Sequence, residues 1–164
     1  GVIPSISPSM DIQVSSNFER ALFYAYGQDG AVVAQQMDEL KAKGGFQISQ
    51  GAYQMLRDTF RSGRVSEEET LATIGGQVGV TNETFCPHTA VGVRVANDHL
   101  GSTPMITLAT AHPAKFPDAV EKATGTRPAL PPHMADLFDR DERVTRVAND
   151  LSALQALIKE RITA

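Results

Sequence analysis

The residues of this chain best suited to chemistry lie in Thr107-Leu108-Ala109-Thr110-Ala111-His112. The Thr110 hydroxyl can donate a hydrogen bond to a ring nitrogen. It follows a short apolar run, Pro104 to Ala109, that reads as a buried strand. Open α/β sheets hold ligands at the C-terminal ends of parallel strands. A plainer role competes, because a threonine here can cap a helix opening near Pro113. Lys115 has the amine that a Schiff-base lysine needs, yet a lysine in a first helical turn is ordinarily a surface residue. Cys86 and His88 are two apart, with His99, His112 and His133 elsewhere. That lacks the paired ligands of a zinc site, and two residues alternating along an extended segment make a poor nucleophile and base. Gly75-Gly76-Gln77-Val78-Gly79 follows no predicted strand and lacks the Lys and Ser or Thr of a phosphate loop, so it reads as a helix-terminating loop. No catalytic residue and no metal ligand is assigned.

The elements that must position these residues change character near the middle of the chain. Pro4 and Pro8 keep the first 14 residues extended or looped. Ser16-Asn17-Phe18-Glu19 predicts a capping box and a helix to about Tyr26, with Phe18, Leu22 and Tyr26 on one face. A second helix from about Ala31 ends at Gly44-Gly45. Ser49 caps a third, and Ser66-Glu67-Glu68-Glu69 starts a fourth that the Gly75–Gly79 cluster ends. Beyond it, Thr84-Phe85-Cys86 is a strand candidate, and Pro87 opens a helix to about Leu100. The Pro104–Ala109 strand and a helix from Pro113 to Gly125 follow, then a Pro-rich connector over 127–133 and a last helix from about Asp141 to Ile162. Strand, helix, strand, helix is a βαβα unit with parallel strands. Two parallel strands cannot form a covered sheet alone, so the sheet is expected to be incomplete. Residues 1–80 form a mainly helical segment, and 81–164 the βαβα unit with its long final helix.

Composition removes several classes. With 164 residues, 41 % hydrophobic and 21 % charged, the chain has an ordinary globular make-up. A net charge of -4 argues against nucleic acid as partner. Arg140, Arg143 and Arg146 alternate with acids and read as a solvated helix face. No apolar stretch is long enough for a membrane span, and the first residues lack the basic and then apolar pattern expected of a signal peptide. One cysteine excludes an internal disulfide and suits a reducing, cytoplasmic setting. The opening Gly1-Val2-Ile3-Pro4-Ser5 lacks Met and reads as the interior of a longer polypeptide.

Three motifs carry a resemblance. Ser7-Pro8-Ser9-Met10-Asp11-Ile12 leading to Ser15-Ser16-Asn17-Phe18-Glu19-Arg20, then Pro87-His88-Thr89-Ala90-Val91-Gly92, then Ala109-Thr110-Ala111-His112-Pro113-Ala114-Lys115-Phe116-Pro117 resemble the threonine synthases of the bacterial and fungal type. The match covers nearly all of the chain, up to its final helix. It implies the C-terminal part of a fold-type II pyridoxal-phosphate enzyme that converts O-phospho-L-homoserine and water into L-threonine and phosphate. The resemblance puts the family's cofactor lysine upstream, in a Ser-Phe-Lys-Asp type motif absent here, together with the cofactor's phosphate loop. Lys115 is not its counterpart. What carries over is Thr110, as hydrogen-bond partner of the pyridine nitrogen of pyridoxal 5'-phosphate, with Met10 and Asp11 lining the active-site cleft. Cys86 departs from relatives that have an acid at that position.

The resulting expectation is an α/β fold: a run of helices, then a short, incomplete parallel sheet. The resemblance implies that the chain is the C-terminal portion of a pyridoxal-phosphate-dependent lyase of threonine biosynthesis, expected to be inactive alone and partnered by the missing N-terminal part of the same polypeptide. Two rival readings are a non-catalytic helical module that docks to another chain, and a paralogue acting on another hydroxy amino-acid phosphate.

Overall fold

The computed structural model describes residues 2–163. Residues 1–129 and 130–164 form two compact units. The first carries six helices among its described residues: α1 (Ser16–Ala25), α2 (Gly30–Lys43), α3 (Gln50–Thr59), α4 (Glu67–Thr81), α5 (Pro87–Asn97) and α6 (Pro117–Thr124). Its core is Leu22, Val33, Ala52, Ile74, Cys86, Ala90 and Val120. Helix α4 is central, packing on α5 and α6, while α1 packs on α2 and α3.

Local chemistry explains most helix starts. Asp29 caps α2, its carboxylate accepting the N–H groups of Ala31 and Val32. Ser49 caps α3. Ser66 and Glu69 form the expected capping box of α4. The box expected at Ser16 does not form: Ser15 holds the N-cap position without a side-chain bond, and Ser16 lies inside α1. Tyr26, just past α1, ties this part together, since its hydroxyl accepts Gln36 Nε2–H at 2.7 Å and Ser49 N–H at 2.8 Å.

The glycines of α4 do not end it. The helix runs through Gly75, Gly76 and Gly79 and stops at Asn82, whose φ of 60° is left-handed. Gly75 serves packing: a Cβ there would lie 2.8 Å from the Ala123 carbonyl oxygen at the end of α6. Nothing lies within 4 Å of the corresponding point at Gly76 or Gly79.

The parallel sheet is absent: among the described residues there is no strand. Thr84-Phe85-Cys86 leads into α5, with Cys86 as its N-cap. The Pro104–Ala109 stretch is not buried either, with Met105 47 %, Ile106 83 % and Leu108 75 % exposed. The physical reason is that an extended run becomes a strand only when a ladder partner takes its backbone groups. Here the neighbour is a helix. Thr107 lies against Gly92 of α5, where a Cβ would come within 3.3 Å of its methyl group, and the Thr110 N–H goes to a side chain of α5. The helix expected from Pro113 is a 3-10 turn, Pro113–Lys115, followed by α6.

The second unit holds 3-10 turns at Pro132–Met134 and Leu137–Asp139 and helix α7 (Leu151–Thr163). The last helix therefore starts ten residues after Asp141, where the Asp150 carboxylate accepts the Ala153 N–H at 2.8 Å. Arg140, Arg143 and Arg146 lie outside any helix. None of the residues of α7 is buried. No helix among the described residues is long and apolar enough to cross a membrane.

Candidate functional site

The first turn of α5 organises the site. Pro87 occupies its start, where a missing N–H costs nothing. Pro87, His88, Thr89 and Ala90 are all buried. Two distant segments attach here. His88 Nε2 accepts the Ser9 N–H at 3.0 Å, which fastens the turn Pro8–Met10. Thr89 Oγ1 accepts the Thr110 N–H at 3.1 Å. Neither His88 nor Thr89 was singled out as a site residue from the sequence, although both lie in the Pro87–Gly92 motif.

Thr110 is exposed on a backbone anchored by Thr89. It does not cap the following turn; His112 does so, its Nδ1 accepting the Ala114 N–H at 3.1 Å. The Thr110 hydroxyl has a long contact, 3.9 Å, to Cys86 Sγ. Cys86 is fully buried, 3.2 Å from Thr89 Oγ1, and accepts the Thr89 N–H at 3.4 Å. Burial pushes its thiol pKa up. In the thiolate form the Thr89 hydroxyl and N–H, the Thr110 hydroxyl and the His88 N–H would all donate to sulfur, which outweighs burial and leaves the pKa below the ordinary thiol value.

His88 is held on the neutral side. Burial lowers its pKa, the Lys115 charge lowers it further, and Asp11 opposes both. Its ring packs on Phe116, centroids 4.6 Å apart. Because Nε2 accepts a bond, the proton sits on Nδ1, which has no partner among the described residues. Lys115 is exposed, its ammonium 5.9 Å from the Phe116 ring centroid.

Met10 and Asp11 line an open cleft of about 680 Å³ with Ser5, Arg64 and Glu67. Met10 is 45 % exposed. The Asp11 carboxylate is engaged, accepting the Ser5 N–H and hydroxyl at 2.7 Å each. The described residues hold no group of three or more His, Cys, Asp or Glu placed to bind a metal ion.

Comparison with known proteins agrees with these motifs. The family model "Threonine synthase, C-terminal" matches residues 89–158. The chain is 49 % identical over 160 residues to threonine synthase of Pseudomonas aeruginosa, covering 96 % of this chain and 34 % of that protein. It is 42 % identical over 140 residues to the Saccharomyces cerevisiae threonine synthase, covering 74 % of this chain and 27 % of that one. Its structure resembles that of a PLP-bound threonine synthase from Brucella melitensis, with a TM-score of 0.85 and 45 % identity over 100 % of this chain and 36 % of that chain. The chain thus spans about a third of the length of the relatives it matches. Over that third, sequence and fold agree, and the chain belongs to the threonine synthase family as the counterpart of its C-terminal portion.

Proposed function

We propose that this chain is the C-terminal part of a pyridoxal-phosphate-dependent threonine synthase, supplying the wall of the site that faces the cofactor's ring nitrogen. The whole enzyme converts O-phospho-L-homoserine and water into L-threonine and phosphate. Bound pyridoxal phosphate supplies an electron sink that lets the substrate phosphate leave and water add. The observation that carries this reading is Thr110: an exposed residue on a backbone fixed to buried Thr89, within the family motif. A hydroxyl suits a neutral ring nitrogen, whereas a carboxylate would favour a protonated one. The Asp11 carboxylate is taken up by Ser5 in the cleft that it lines with Met10, in keeping with a lining role for both. The rest of the same polypeptide supplies the cofactor lysine and phosphate loop and covers the apolar 104–108 stretch. A reducing, cytoplasmic setting suits the free buried thiol. A docking module without catalysis is not favoured, given 49 % identity to a threonine synthase over 96 % of the chain.

Thr110→Val in the full-length polypeptide tests the reading. Valine keeps the branched shape and removes the hydroxyl. Loss of one neutral hydrogen bond, about 0.5–1.5 kcal/mol, predicts about a 2- to 13-fold slower turnover and weaker cofactor retention, with near-native stability. Unchanged cofactor affinity, turnover and cofactor absorption would remove Thr110 from the site.

A further inference from the structure

Between Gly101 and Ala111 the chain makes no backbone-to-backbone hydrogen bond among the described residues. Its hydrogen-bonded attachment to the fold is at Thr110, through Thr89 and Cys86. The contacts fall on one face of α5, because Cys86, Thr89 and Gly92 recur at three-residue steps. Gly92 receives Thr107 and Thr89 receives Thr110. Thr89 is 3 % exposed and Cys86 0 %, so their protons find acceptors here or nowhere.

One assignment satisfies both. The Thr110 N–H donates to Thr89 Oγ1. The Thr89 hydroxyl donates to Cys86 Sγ, and the Cys86 S–H donates to Thr110 Oγ1. The circuit closes on itself and uses Thr110 Oγ1 only as an acceptor. The Thr110 hydroxyl proton is then directed away from the protein, available to an acceptor in the site. If Thr110 instead donated to sulfur, either the Cys86 S–H or the Thr89 hydroxyl would be buried without an acceptor.

We propose that Thr89 is the positioning residue for Thr110, closing with Cys86 a hydrogen-bond circuit that holds the Thr110 hydroxyl as an outward donor to a neutral heteroaromatic nitrogen. The inference rests on the reading of Thr110 as the cofactor contact, and extends it to two buried residues, Thr89 and Cys86.

The test uses the full-length polypeptide in Thr89→Val, Thr89→Ser, Thr110→Val and the double variant. Pyridoxal phosphate dissociation constants and cofactor absorption are measured by titration, and Thr110 amide exchange is followed in the cofactor-free protein. Thr89→Val is expected to weaken cofactor binding by about 2- to 13-fold, the size of one lost hydrogen bond, and to speed Thr110 amide exchange. Thr89→Ser restores both. In the double variant, Thr110→Val adds little to Thr89→Val, because the two act as one unit. If Thr110→Val weakens binding while Thr89→Val leaves the constant, the spectrum and the exchange rate unchanged, the positioning role is overturned and the cofactor contact stands. If Thr110→Val itself changes nothing, both are overturned. Should Thr89→Val fail to fold, Thr89→Ala against Thr89→Ser makes the same comparison.

Discussion

His88 has two ring nitrogens in unlike situations, and the difference predicts a stability that falls in acid. Nε2 must stay unprotonated to accept the Ser9 N–H. Burial, then the Lys115 charge, lowers the folded pKa, with Asp11 opposing. An unfolded imidazole takes its proton near about pH 6.5. Below that value the unfolded chain binds the proton before the folded one does, so stability rises with pH in that window. The stabilisation is complete above the unfolded value and is lost as pH falls towards the folded one. Thermal midpoints should therefore fall between about pH 7.5 and about pH 5.5, and His88→Gln, which keeps an acceptor but cannot titrate, should flatten the fall. An equally steep fall in the variant would assign the acid sensitivity to other groups. Thr110 was legible in the sequence as a candidate contact, through its motif. The roles of His88 and Thr89 were not, because each depends on a partner 79 or 21 residues away along the chain.

At the scale of elements, α4 separates two uses of glycine. Gly75 meets the Ala123 carbonyl, so Gly75→Ala must push α4 and α6 apart and should destabilise by about 1–3 kcal/mol, the usual cost of overpacking. Gly76 is exposed in a helix interior with open space at its Cβ point. There alanine should stabilise by about 0.4–1 kcal/mol, through helix propensity and a less disordered unfolded chain. Denaturant midpoints of the two variants should move in opposite directions; movement in the same direction would show that α4 ends before Gly75 in solution. Helix starts were readable from Ser49, Ser66 and Pro87 because capping is local chemistry. Helix ends were less so. A glycine that permits close packing has the same letter as one that ends a helix, and only the neighbour, Ala123, distinguishes them. The Pro104–Ala109 run has the composition of a strand, but pairing is a property of partners, and here it lies against α5.

For the molecule as a whole, the apolar surface at Met105, Ile106 and Leu108 sits on backbone without a ladder partner. Such segments invite pairing with another chain. The chain expressed alone should self-associate as its concentration rises in sedimentation velocity, and Ile106→Lys with Leu108→Lys should reduce this. In the full-length polypeptide the same pair should lower the yield of folded enzyme; a normal yield would mean that nothing covers this surface. The double attachment at the first turn of α5 also sets an order of events in time. Joining Thr110 to Thr89 closes a loop of 21 residues, whereas joining Ser9 to His88 closes one of 79. Loop-closure entropy makes the longer one costlier by about 1.2 kcal/mol, roughly a sevenfold difference in equilibrium. The Thr110 side should then assemble early and reopen seldom. The N-terminal turn bearing Met10 and Asp11 should arrive late and detach first, so that the cleft it lines with Arg64 and Glu67 comes and goes while Thr110 stays in place.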